Sequence, residues 1–243
     1  MLNPAHSPNF SRTFAALCLV AGPVLLLVSG LVAPTWSEDP NAYLDAIAAS
    51  GNANIVGAFL FLVGVILTIG GLIGVLHLTR GKHVTVAQVG AGMMIVGALF
   101  GNWFYAAILE TTAARPGLDR GQMIALFDQA EQSPWGIVGF LSYLVGIVLG
   151  SIVLAVGLLL RRAAPVWAPI ALIASTVVGY FSGDSFLLSL VSFALLVVGF
   201  AGVAWRMLTL TDEQWAQWQP LPDAPRRTRR SMTTEEPAGP ALA

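Results

Sequence analysis

The dominant pattern along the chain is a series of long apolar runs separated by short polar stretches. Six runs are legible: Phe14–Ala33, Ile55–Leu78, Val86–Leu109, Trp135–Leu160, Val166–Ser182 and Phe186–Trp205. Away from their ends none contains Asp, Glu, Lys or Arg. A helix needs about 20 apolar residues to cross the hydrocarbon core of a bilayer. The runs therefore predict an all-α integral membrane protein, a six-helix transmembrane bundle over 1–210 followed by a tail over 211–243. The fifth run is the shortest. The first run is longer than the apolar region of a signal peptide, and a cut after Ala33 would leave Pro34 next and set Leu31 where a small residue is required. It is read as a retained span.

The polar stretches carry their own pattern. The segments 41–50 and 119–131 have apolar residues at helical spacing, and Asp119 stands where it can cap the second. Both predict short amphipathic helices at the outer membrane surface. Only Gly183, Asp184 and Ser185 separate the last two runs, which predicts a tight hairpin. After the sixth run, Thr211, Asp212, Glu213 and Gln214 have the form of a capping box, with Trp215 and Trp218 following. That predicts a brief interfacial helix. From Pro220 onward the chain lacks an apolar period and is expected to be disordered.

Charge orients the spans. If they alternate, one side holds Arg12, Arg80, Lys82, Arg161, Arg162, Arg206, Arg226, Arg227, Arg229 and Arg230, and the other only Arg115 and Arg120. Basic residues mark the cytoplasmic side, so both termini are expected there. Trp36, Trp103 and Trp135 fall near outer ends and Trp167 and Trp205 near inner ends, as an aromatic belt requires. Composition agrees: 56% of the 243 residues are hydrophobic, 10% are charged, and mean hydropathy is +0.75. Soluble domains carry about 25% charged residues. The Ala-, Gly- and Val-rich usage with one lysine fits a high-GC bacterial genome and a location in the cell (plasma) membrane. A net charge of −1 gives no basis for nucleic-acid binding.

The chain also resembles itself. Shifted by 82 residues, Ile55–Phe104 aligns with Ile137–Phe186 without a gap, with sixteen of fifty positions identical. Gly57, Gly64, Gly97 and Gly101 match Gly139, Gly146, Gly179 and Gly183, and Arg80 matches Arg162. This predicts a parallel internal repeat of two helical hairpins, spans 2–3 and spans 4–5, flanked by spans 1 and 6. Small-residue faces at Gly70/Gly74, Gly97/Gly101 and Ser142/Gly146/Gly150 suit close helix packing. They serve intrachain contacts first, and could also meet a second copy or another membrane protein.

Candidate chemistry is sparse. Ionisable residues at membrane depth point to function, and here only Glu110, Asp184 and His77 come near the spans. Asn102 and Asp184 are matched by the repeat, each directly after a matched glycine. With Tyr105, Glu110 and Asn54 they define a candidate ligand site open to the outside; ordinary helix-end polarity explains the same residues. No metal site is expected, because His77 has no second ligand at suitable spacing and His6 and His83 lie in other segments. The single cysteine, Cys18, excludes an internal disulfide. The serines at 182, 185, 189 and 192 have no base nearby. No His-Glu-x-x-His, Gly-x-Ser-x-Gly, Walker or dinucleotide pattern occurs. No enzyme activity and no cofactor are expected. The first expectation is a non-enzymatic packing, accessory or partner-binding component of the bilayer. A small transporter or ligand-binding permease is the alternative.

Overall fold

The computed structural model describes residues 7–37, 39–80, 85–100 and 104–216. Among them every regular element is helical. In chain order these are α1 (Ser7–Val32), α2 (Pro40–Ala49), α3 (Ala53–Leu78), α4 (Thr85–Phe100), α5 (Phe104–Ala113), α6 (Arg120–Gln132), α7 (Pro134–Tyr143), a π-helical segment (Leu144–Leu149), α8 (Gly150–Arg161), α9 (Trp167–Tyr180), α10 (Phe186–Leu208) and α11 (Asp212–Ala216).

Five stretches are long and apolar enough to cross a membrane: Asn9–Val32, Ala53–Leu78, Val86–Ala113, Pro134–Arg161 and Phe186–Leu208. The remaining apolar helix, Trp167–Tyr180, has 14 residues. At 1.5 Å per residue it is about 21 Å long, short of a hydrocarbon core of about 30 Å. In the third run the described helical residues are α4, up to Phe100, and α5, from Phe104, and the apolar stretch runs on to Ala113. The fifth contracts at both ends, because the chain from Ala163 to Val166 forms turns and Phe181 caps α9.

The apolar segments touch in a closed cycle: α3 meets α1, α1 meets α10, α10 meets α9, α9 meets α8, α8 meets α4, and α4 meets α3. Their ends on the side of Arg12, Arg80 and Arg161, termed inner (the opposite ends outer), share one core. Leu19, Leu72, Leu154, Leu158, Leu172, Phe200, Val203 and Met207 are fully buried in it. These residues come from the start of α1, the end of α3, the end of α8, the start of α9 and the end of α10, all at the side carrying Arg12, Arg80 and Arg161. Ala87, Ala91 and Met94 at the start of α4 complete it.

Glycines show which helices approach most closely. A Cβ on Gly57 would lie 2.8 Å from the Ala33 Cβ, and one on Gly71 would lie 2.7 Å from the Leu19 Cα, so α3 lies against α1. A Cβ on Gly97 would lie 2.7 Å from the Gly146 Cα, and one on Gly150 2.9 Å from the Met94 nitrogen, so α4 lies against the α7–α8 segment. A Cβ on Gly199 would lie 2.6 Å from Leu172, so α10 lies against α9. Small residues permit such contacts in membrane helices. The tight pairs are therefore those joined on the outer side: α1 with α3, α4 with α7–α8, and α9 with α10. The pairs in the sequence repeat, α3–α4 and α8–α9, also touch, but no glycine is wedged between them among the described residues. Buried hydroxyls reinforce the cycle. Ser29 donates to the Gly57 carbonyl at 2.8 Å, Ser175 and Ser192 each donate to the other's carbonyl at 2.8 and 2.9 Å, and Ser151 and Thr176 share a 2.6 Å bond.

Candidate functional site

The outer end of the molecule carries a second, smaller core. Asp39 caps α2 by accepting from the Asn41 amide at 3.0 Å, and Pro40 occupies the first turn, where its missing N–H costs nothing. The spacing of Tyr43, Leu44 and Ile47 puts them on one side of α2. Leu44 and Ile47 bury against Ala113 and Ala114 at the end of α5, with Met123, Ile124 and Phe127 of α6 closing over them. α6 starts where expected, with the Asp119 carboxylate accepting from the Gln122 amide at 2.9 Å. An Arg120–Asp45 ion pair ties α6 to α2.

Glu110 lies under this cap. The Tyr43 hydroxyl donates to its Oε2 at 3.2 Å. Asn54, buried at the start of α3, donates to the Ala107 carbonyl at 3.3 Å and the Thr111 hydroxyl at 3.1 Å. Burial pushes the Tyr43 phenol well up, and the facing Glu110 carboxylate pushes it further in the same direction. The phenol is thus a fixed neutral donor to a carboxylate. Chemically the cluster can hold a carboxylate in place. It can also present oxygen acceptors to a small ligand or proton reaching the outer surface.

The candidate residues fall in separate places. Glu110 sits in the cap with Tyr43 and Asn54. Tyr105 is 70% exposed on α5. Asp184 stands in the α9–α10 turn, beside Gly183 at φ +47°, and lines a recess of about 140 Å³ with Ala33, Trp36, Phe186 and Ser189. Asn102 lies outside the described residues, as do Gly101, His6, His83, Trp103, Trp218 and the chain from Pro220. Tyr43 was missed as a partner of Glu110. Its signal was available: it shares a face of α2 with Leu44 and Ile47, the apolar face that the helix buries.

A further polar cluster holds the inner end. Thr211 and Gln214 form the expected capping box, Gln214 Oε1 accepting from the Thr211 amide at 3.0 Å and Thr211 Oγ1 from the Gln214 amide at 3.2 Å. The short α11 that follows is clasped against α1 and α3. Trp215 donates its indole N–H to Ser11 at 3.0 Å and its ring packs on His77, centroids 4.4 Å apart. Arg80 donates to the carbonyls of His77, at 3.1 Å, and Gln214. Arg12 pairs with Asp212 at 2.9 Å and donates to the Leu210 carbonyl. Burial lowers the Arg80 pKa from its ordinary value. These contacts tie α11 to the ends of α1 and α3 and engage Arg12 and Arg80 with backbone carbonyls.

Among the described residues no three His, Cys, Asp or Glu side chains are grouped to hold a metal ion. No family model, curated protein or solved structure matches the chain, so its function is read from its own residues.

Proposed function

We propose that the chain is a six-span protein of the cell membrane with both termini in the cytoplasm, and that it acts as a non-enzymatic packing, accessory or partner-binding component. The observation that carries this reading is the inner core. Fully buried apolar side chains from α1, α3, α8, α9 and α10 meet there, and the buried hydroxyls one turn away, Thr68 and Ser151, are bonded to the Gly64 carbonyl and to Thr176. A transport route would need a wettable path there. The ten-to-two distribution of basic residues supports the orientation. The 82-residue match supports an internal repeat, counting α9 as the short fifth span.

The test is water access to the inner core. With Cys18 replaced by alanine, Leu154→Cys in intact membranes is expected to resist small methanethiosulfonate reagents applied to either side. Rapid labelling from either side would establish a water path and overturn the reading.

A second reading, a small transporter or ligand-binding permease, draws support from Glu110, a carboxylate held below the cap by Tyr43. Its outward site would use Asn102, Tyr105, Glu110 and Asp184. Double substitution Asn102→Ala/Asp184→Ala that leaves ligand uptake unchanged, in proteoliposomes screened for it, would remove those two residues from that role.

A further inference from the structure

The arginines of the inner rim fall into two groups. Arg12 and Arg80 are taken up by the clasp of α11, with Asp212 and backbone carbonyls as their partners. Arg162 and Arg206 stand on the other side, at the end of α8 and the end of α10. No acidic residue occurs between Glu131 and Asp184, or between Asp184 and Asp212. Among the described residues no carboxylate pairs with Arg162 or Arg206. Arg206 donates to the Thr209 hydroxyl at 3.4 Å. Arg161 adds a third positive charge in the same turn as Arg162.

The backbone at Arg162 is unusual. It caps α8 in the left-handed region, at φ 51° and ψ 33°, and no other non-glycine residue among those described has positive φ. The amides of Arg162 and Ala163 close the helix on the Leu159 and Leu158 carbonyls, both at 3.1 Å. Helices commonly end this way on glycine, which has no Cβ to strain the position. The cap is made by backbone alone, so a strained residue kept there points to a use for its side chain. Two tryptophans frame that side chain's surroundings. A Cβ on Gly202 would lie 2.6 Å from the Trp167 ring, so the start of α9 rests on α10 near its end. Trp205 and Arg206 follow Gly202 by three and four positions, which puts them on the same side of α10. Trp167 is 51% and Trp205 66% exposed, and such indoles settle at headgroup level. With only 14 residues in α9, the bilayer thins beside it, which brings headgroups in to this turn.

We propose that Arg162 and Arg206, flanked by Trp167 and Trp205, hold the phosphate of an anionic phospholipid. Guanidinium groups bind phosphate oxygens in a forked, two-bond geometry, and basic recesses between membrane helices take acidic headgroups. Charge selects the occupant: a zwitterionic headgroup would bring its own cation into a patch that is already positive. The site stands whether the chain packs with a partner or transports a ligand.

The test uses full-length protein in vesicles of equal parts phosphatidylglycerol and phosphatidylcholine, with spin-labelled analogues reporting which lipid the protein surface holds. Wild type is expected to prefer phosphatidylglycerol by about threefold or more. Arg162→Gly with Arg206→Gln should remove most of that preference, whereas glutamine at the four tail arginines, 226, 227, 229 and 230, should leave most of it. Inorganic phosphate in place of chloride at equal ionic strength should not displace the lipid. In neutral detergent, Arg162→Gly alone should keep or raise the thermal transition, because glycine relieves the left-handed backbone. Equal retention of the two lipids by wild type, a preference that follows the tail arginines instead, or displacement by inorganic phosphate would overturn the proposal. So would a lower transition for Arg162→Gly, which would assign the side chain to the fold.

Discussion

The α1–α3 pair and the α4–α7/α8 pair begin alike and finish differently. Both press glycines into a neighbouring backbone near mid-length: Gly64 against Leu26 and the Gly22 carbonyl, Gly146 against Gly97. Beyond that point α1 continues and Ala33 covers Gly57, whereas no described residue comes within 4 Å of where a Cβ on Gly139 would stand. Two glycines that match in the sequence thus stand in different surroundings among the described residues. The difference comes from the partner: α1 tolerates Pro23 and runs on as a single helix, while α5 is drawn to α3 and α2. What draws it is visible in the cap, where Glu110 meets Tyr43, and Asn54 reaches back to Ala107 and Thr111.

Substitutions can break or sharpen this contrast. The largest effect is expected at Gly97→Leu, whose added side chain would collide with Gly146 backbone that cannot yield; a loss of about 3 kcal/mol or more is expected, read from thermal unfolding in detergent. Gly57→Leu collides first with the Ala33 Cβ and should cost about 1–3 kcal/mol. Tyr43→Phe removes the bond that anchors α5 and should cost about 1 kcal/mol. Because the phenol pKa is raised on folding, that contribution is present below the ordinary phenol value of about 10 and lost only as pH rises through the higher folded value. Thermal scans from pH 6 to 9 should therefore show the same wild-type-to-variant gap. Ser29→Ala loses its bond to the Gly57 carbonyl and should cost about 0.6 kcal/mol. Gly139→Leu should leave stability within about 0.5 kcal/mol. If it destabilised the protein as much as Gly57→Leu, the surroundings of the two glycines would not differ as described.

Much of this architecture was legible in the sequence, for definite reasons. Uncharged apolar runs located the long helices to within a few residues. Asp119 and the Thr211–Gln214 box located the starts of α6 and α11, because a cap depends on local spacing alone. The helix partners were not legible in the same way. The 82-residue match groups α3 with α4 and α8 with α9. It records which segments are alike, and says nothing of which face a glycine turns to a neighbour. The close approaches run instead within outer-connected pairs. At the site, Glu110 and Asp184 were recognisable as rare carboxylates near apolar runs, but their separation into the cap and the α9–α10 turn depends on long-range packing. The inner clasp of Arg80, His77 and Trp215 joins residues more than 130 positions apart and carries no local signature.

The central claim is six crossings, and it turns on α9, the one apolar helix too short by length alone. A short span is accommodated by local bilayer thinning or by flanking residues reaching the interface, and Trp167 and Tyr180 at its ends suit that role. Counting crossings fixes the termini: an even number puts them on one side, an odd number on opposite sides. The direct measurement is membrane-impermeant thiol labelling of Asn3→Cys and Ala243→Cys, each with Cys18→Ala, in sealed vesicles of known orientation. The account predicts that both positions react only from the cytoplasmic face. Labelling of the two positions from opposite faces would leave five crossings and contradict it.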